Sequence, residues 1–268
     1  MFLNFLLVLF ITAPTWAKSK DELTIVFPTK KQSYSLATLK GKLKTFEVTT
    51  NDPVYKGQKT FKGFLLKDVF ALLGPLPESA DEISFVAKDG YAPSVSVTDG
   101  LTAESYVTFA DNVKKTGFEI INQGGKNLDL GPYYLVWKDE SKIPDYYPRP
   151  YQLVRIEIID FKTLYRGLYP EVLKQKENEK KGFLVFKNHC VKCHSINGAG
   201  GSVGPELNFP KNVTEYWNVA ELRNYIRNPA EFRLRATMPS FEKLDATNMD
   251  NLISYLTLMK GYKEKPNP

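Results

Sequence analysis

The sequence predicts two domains, a mainly β (α+β) sheet domain followed by an all-α one. Three observations carry this. The chain of 268 residues is nearly twice a common domain length of about 150. From Leu23 to about Asp160, short β-branched and aromatic runs alternate with Gly, Asp, Asn and Pro. From Glu179 onward the apolar residues recur at helical spacing instead.

Residues 1–17 read as an export signal. An apolar run from Phe2 to Ile11 is followed by a break at Pro14 and small residues at Thr15 and Ala17, which places cleavage after Ala17. The run is about half of the ~20 residues a bilayer-spanning helix needs, so no stable membrane span is expected after cleavage. The mature chain is expected to be soluble in the periplasm. The segment holds no charged side chain, so the net charge of +6 belongs to the rest of the chain. In an exported protein that balance suits a solvated surface, an acidic redox partner or an anionic membrane surface. No nucleic-acid recognition motif is present, and nucleic acid is not an expected partner.

Residues 20–160 form the predicted sheet domain. "LTIVFP", "TFEVTT", "ISFVA", "YAPSVSVT", "SYVTF", "FEIIN", "YYLVW" and "YQLVRIEII" are its strands, mainly antiparallel. In the last of them Val154, Ile156 and Ile158 alternate with Arg155 and Glu157, as a half-buried strand requires. "FLLKDVFALLGP" is the one predicted helix, ended by Gly74 and Pro75. Residues 161–178 are charged, lack alternation and read as a linker.

Residues 179–261 form the predicted helical domain. "NVAELRNYIRNP" has Asn218 as cap, Leu222, Tyr225 and Ile226 on one face, and Pro229 as stop. "TNMDNLISYLTLMKG" opens on a capping-box variant at Thr247 and Asp250, and Met249, Leu252, Ile253 and Leu256 share a stripe. Residues 262–268 read as a frayed, disordered tail.

The chemistry is concentrated in "HCVKCH", which holds every cysteine and histidine of the chain. Cys190-x-x-Cys193-His194 has the spacing for covalent haem attachment. Two thiols three positions apart can each bond a vinyl group on one porphyrin edge, and the next residue is delivered to the iron. A dithiol redox motif would want a βαβ context, and zinc would want four ligands where only His189 could be added. His189 directly precedes Cys190 and is not carried around the ring. The remaining candidates for the second axial ligand are Met238, Met249 and Met259. Met249 and Met259 fall on a helix, where methionine usually fills core; Met238 falls in the non-helical "LRATMPSF", and a loop can bring its thioether over the distal face. Lys187 and Lys192 flank the motif and are candidates to meet a partner's acidic rim.

On these residues, the segment from Glu179 to Gly261 resembles a class I cytochrome c domain. Gly182 and Phe186 match the first helix of that family and Tyr255 its last, the two helices that cross in its fold. "GGSVGPEL" resembles the loop after the attachment site, which implies that the Pro205 carbonyl receives the His194 ring N–H and orients the imidazole. "ATMPSF" resembles the axial-methionine loop and implies Met238 as sixth ligand. His and Met ligation favours reversible one-electron chemistry at a raised potential. The resemblance therefore implies one covalent haem c, bound through Cys190 and Cys193 and ligated by His194 and Met238.

The first domain carries a second resemblance. "YKGQKTFKGFLLKDVFALLG", "ISFVAKDGYAPSVSVTD", "GPYYLVW" and "YQLVRIEIIDF" are similar to the molybdopterin-binding domain of the sulfite oxidase family. That family ligates molybdenum through a cysteine, and this chain has none outside Cys190 and Cys193. A molybdopterin cofactor is therefore not expected, and Asp89, Gly90 and Tyr91 are expected to form a tight turn with structural work only.

Two functions follow. The favoured one is an exported electron carrier, with no catalytic residue of its own, whose amino domain docks it to a periplasmic oxidoreductase or respiratory complex. The alternative is a fused periplasmic oxidoreductase whose amino domain oxidises a small substrate and passes electrons to the haem.

Overall fold

A computed structural model of the chain describes residues 21–114, 116–123, 125–144 and 146–265. The expected export segment lies outside the described residues, as do residues 266–268 of the expected tail.

The amino-terminal region is β-rich. Its strands are β1 (Glu22–Phe27), β2 (Lys30–Ser35), β3 (Phe46–Asp52), β4 (Gly57–Leu65), β5 (Glu82–Ala87), β6 (Ser94–Ser96), β7 (Ser105–Asp111), β8 (Ile121–Gln123), β9 (Lys126–Leu128), β10 (Tyr134–Trp137) and β11 (Leu153–Ile159). Three short helices, α1 (Leu36–Lys42), α2 (Leu66–Ala71) and α3 (Val97–Thr102), lie between them. One sheet has the order β2-β1-β11-β5-β6 and the other β10-β7-β4-β3. β1 and β11 run parallel, and the remaining ladders of these sheets are antiparallel.

The two sheets share one core. Ile25, Phe85 and Ile156 of the first meet Phe64, Val107, Leu135 and Trp137 of the second. On the far face of the second sheet, Phe61, Tyr134 and Val136 pack with Phe118 and Leu130. With both faces covered, all seven residues of β7 are buried. In β11 the register slips between Leu153 and Arg155, so Leu153 takes the inward place that simple alternation assigns to Val154.

The predicted helix at 64–75 is shorter than its periodicity suggests. Phe64 and Leu65 end β4, and only Leu66–Ala71 is helical. The apolar spacing there serves a strand and a helix in succession. α1 and α3 escape a periodicity search because each has one buried residue; Ser35 and Ser96 cap them, accepting from the Thr38 and Asp99 N–H groups.

The carboxyl-terminal region is helical, with α4 (Phe161–Leu164), α5 (Glu177–His189), α6 (Val213–Tyr216), α7 (Val219–Arg227), α8 (Pro229–Phe232) and α9 (Ala246–Met259). Asn218 caps α7 as its sequence predicts, accepting from the N–H groups of Ala220 and Glu221. α9 is capped two residues before the predicted Thr247, by Asp245, which accepts from the Asn248 N–H. Its predicted stripe of Met249, Leu252, Ile253 and Leu256 is buried.

The segment read as a linker does more than connect. Tyr165, Leu168 and Leu173 are buried in the helical core with Phe183 and Tyr255, and the Tyr255 hydroxyl donates to the Leu168 carbonyl at 2.8 Å. Part of the expected tail is likewise tied down. Asn197 donates to the Tyr262 carbonyl at 2.7 Å and accepts from the Glu264 N–H at 3.0 Å. No helix among the described residues is long and apolar enough to cross a membrane.

The two regions are joined along the β5–β6 side of the first sheet. Asp81 accepts from the Phe161 N–H, the Ser94 and Tyr165 hydroxyls share a hydrogen bond, and Glu82 pairs with Lys187. Next to these, the Ala92 N–H donates to the Lys192 carbonyl at 2.9 Å and the Ser202 N–H to the Gly90 carbonyl at 3.2 Å.

Candidate functional site

The site is built where α5 ends. Cys190 caps that helix, its N–H reaching the Phe186 carbonyl, and the next turn is closed by bonds from the Cys193 and His194 N–H groups to the Cys190 carbonyl at 3.0 and 2.9 Å. This single turn brings Cys190, Cys193 and His194 onto one cavity of about 700 Å³. Met238, Leu252 and Leu256 also line it, so residues far apart in sequence converge on the same space. Met238 sits in the non-helical stretch between α8 and α9, as its sequence context predicts.

His194 is held from two sides. Its Nδ1 lies 2.9 Å from the Pro205 carbonyl, and a Cβ on Gly204 would stand 2.5 Å from its Cε1. The imidazole thus rests against the bare backbone of Gly204, and the bond to Pro205 leaves Nε2 available for a ligand. Burial is the main cause of the lowered His194 pKa, with the Pro205 bond acting in the opposite direction, so the ring is neutral at pH 7 as a metal ligand must be. Burial pushes the Cys190 thiol up to about 12 and also raises that of Cys193, so without a bound group both are protonated thiols.

The loop carrying Pro205 is fixed by Glu206. Its carboxylate accepts from the backbone N–H groups of Asn197, Gly198 and Asn208 at 2.8 to 3.0 Å. Burial alone would raise its pKa, but these bonds together hold it below the usual carboxylate value.

Sequence reasoning missed several residues of the cavity. Trp217, Tyr225, Arg233 and Arg235 line it from α6 through the stretch after α8, and Tyr91 lines it from the β-rich region. Trp217 and Tyr225 lie side by side, their tilted rings 5.1 Å apart between centroids. Tyr91 is expected from sequence only as part of a structural turn, and nothing local pointed it to the cavity. His189 borders the cavity as a packed ring, 6.0 Å from Phe241 and 6.4 Å from Tyr146 between centroids, with a pKa lowered first by burial and then by Lys192.

Of the lysines flanking the motif, Lys187 is engaged within the chain rather than by an outside partner. Lys187 pairs with the buried Glu82 and lies 5.2 Å over the rings of Phe161 and Tyr165. Lys192 is half-buried, and desolvation lowers its pKa. Lys187 is turned toward the β-rich region, and Lys192 lines the cavity beside Cys193.

A cavity of this size is ordinary for a bound small molecule or cofactor. Its donor set of two thiols, one oriented neutral imidazole and one thioether within an apolar wall fits a haem. Residues 179–260 match the Cytochrome c family. Cytochrome c of Kluyveromyces lactis is 30% identical over 78 residues, an alignment that covers 22% of this chain and 69% of that protein. The chain belongs to the cytochrome c family. Its helical domain is therefore a haem-binding electron-carrier domain. Cytochrome c oxidase subunit 2 of Alkalihalophilus pseudofirmus is 28% identical over 117 residues, covering 41% of this chain and 34% of the subunit, so the chain spans about a third of that relative's length. The sulfane dehydrogenase SoxCD of Paracoccus pantotrophus aligns in structure over 55% of this chain and 41% of its own, with 12% identity and a TM-score of 0.35, too low to fix a shared fold.

Proposed function

We propose that this cytochrome is an exported carrier of single electrons, using one haem held covalently by Cys190 and Cys193, with His194 and Met238 as axial ligands. The observation that carries this reading is the convergence of those four side chains on one cavity, with His194 already oriented by Pro205. When bound, the haem supplies a reversible one-electron iron couple. Cys190 and Cys193 would tether it to the turn after α5. His194 would present Nε2, its other nitrogen being engaged by Pro205. Met238 would present a thioether, which favours ferrous iron over ferric, and two strong ligands would leave no position open for oxygen chemistry. The β-rich domain is a docking or scaffold module for a periplasmic oxidoreductase or respiratory complex.

Met238→Ala tests the ligand assignment. The far-red ferric band that reports sulfur ligation is expected to vanish while the covalent haem remains. Survival of the band would give the sixth position to another residue.

The fused-oxidoreductase reading has one observation in its favour, a polar cleft of about 950 Å³ in the β-rich domain, lined by Asp52, Lys56, Lys138, Glu140 and Arg149. Metal analysis of protein from its native host separates the two. Iron at one per chain without molybdenum supports the carrier; stoichiometric molybdenum would make the amino domain catalytic.

A further inference from the structure

The turn at Asp89, Gly90 and Tyr91 lies in the sheet domain, yet Tyr91 forms part of the wall of the haem cavity. It is held there by three sets of contacts. Asp89 Oδ1 accepts from the Tyr91 N–H at 2.9 Å, and Gly90 has a φ of +89°, a conformation that suits glycine. On either side of Tyr91, the Gly90 carbonyl accepts from Ser202 and the Ala92 N–H donates to Lys192, so both neighbours are bonded to the loops around the attachment turn. The Tyr91 phenol lies within electrostatic reach of Cys193, Tyr151, Arg149 and Asp89, and burial raises its pKa. Tyr151 in turn feels Cys193. The sheet domain thus contributes Tyr91 to the crevice wall, beside the loops that carry Lys192 and Ser202.

We propose that Tyr91 is a haem-contacting residue supplied by the sheet domain, whose ring closes the crevice at the Cys193 edge and sets the iron potential by keeping water out. This rests on the haem reading above. The physical cause is charge. Ferric haem carries one more positive charge than ferrous, and replacing water by protein at its edge disfavours the charged form. The neighbouring domain is therefore part of the haem environment, and its position is read out in the potential.

The test is a redox titration of the full-length holoprotein with Tyr91→Phe and Tyr91→Ala. The phenylalanine keeps the ring and should leave the potential at its wild-type value. The alanine opens the edge and should lower the ferrous-to-ferric ratio at fixed ambient potential about threefold, or about 30 mV for one electron. Reduction by ascorbate should be several-fold faster in the alanine variant. If that variant does not accumulate folded, Tyr91→Gln, which keeps bulk but brings a water-binding amide to the same edge, should also lower the potential. An unchanged potential and ascorbate rate in Tyr91→Ala, or an unchanged potential in Tyr91→Gln, overturns the inference. Wild-type protein without covalent haem would overturn the haem reading itself, a different and separately visible result.

Discussion

Gly182→Ala is a stringent check on how the haem domain is assembled. α5 and α9 cross at this glycine, and an added Cβ would stand 1.9 Å from the Asn251 carbonyl oxygen, 2.5 Å from its carbon and 2.7 Å from the Tyr255 Cβ. A normal contact between heavy atoms needs about 3.5 Å, so the helices must separate by roughly 1.5 Å. Two of the obstructing atoms are backbone, and no rotamer change removes them. The separation loosens Phe183, Phe186, Leu252 and Tyr255, all buried at this crossing. Overpacking of a filled core costs about 1–3 kcal/mol, and the backbone obstacle puts this site at the upper end. Exchanging glycine for alanine inside a helix returns about 1 kcal/mol. The net loss is about 2 kcal/mol, which for a domain of this size lowers Tm by about 8–16 °C. Thermal unfolding followed at the haem absorption band and by far-ultraviolet circular dichroism measures it. Gly41→Ala in α1 is the control, because nothing lies within 4 Å of a Cβ there, and the same exchange should be neutral or stabilising by up to about 1 kcal/mol. A Gly182→Ala protein as stable as wild type would refute the close crossing.

The remaining predictions concern the two sides of His194. Gly204→Ala places a Cβ 2.5 Å from the imidazole, so it should displace the ring and reduce the fraction of chains that retain correctly ligated haem, measured by the absorption spectrum; a wild-type spectrum at full haem content would show that the ring has room to spare. Glu206 has a lowered pKa in the fold, so the stability it contributes is present above its ordinary value of 4.5 and is lost as pH falls through the lower folded value. Glu206→Gln should cost about 1–2 kcal/mol at pH 7, a figure already reduced for the partly exposed site, and the gap between the two proteins in chemical unfolding should close as the medium is acidified below pH 4.5. A gap of the same size at pH 3 would remove Glu206 from that role.

Much of the candidate site was legible in the sequence because its parts are local or strongly typed. Cys190, Cys193 and His194 lie within one turn, so their spacing alone puts them on one surface. Met238 was distinguishable from Met249 and Met259 because "LRATMPSF", held by Pro239, lies in the non-helical stretch after α8, whereas the other two are buried in α9. α7 followed from Asn218 and Pro229 for the same reason. Where local signals competed, the reading slipped. Phe64 and Leu65 fit a helix and a strand equally well, and pairing of β4 with β7 decided in favour of the strand. Residues 161–178 looked like a linker because charge dominates their composition, while Tyr165, Leu168 and Leu173 find their apolar partners only in the distant α5 and α9.

The sequence by itself determined the strand-rich and helical halves, the attachment turn, and the candidate ligands that line the cavity. These depend on residue type at short range, where spacing and chain stiffness suffice. Only the tertiary structure decided that Lys187 pairs with the sheet domain, that Glu206 fixes the loop beside His194, and that Tyr91 lines the cavity from the β-rich region. Each depends on a contact between segments whose neighbours in sequence carry no trace of it, because long-range packing is selected by the shape of the whole core.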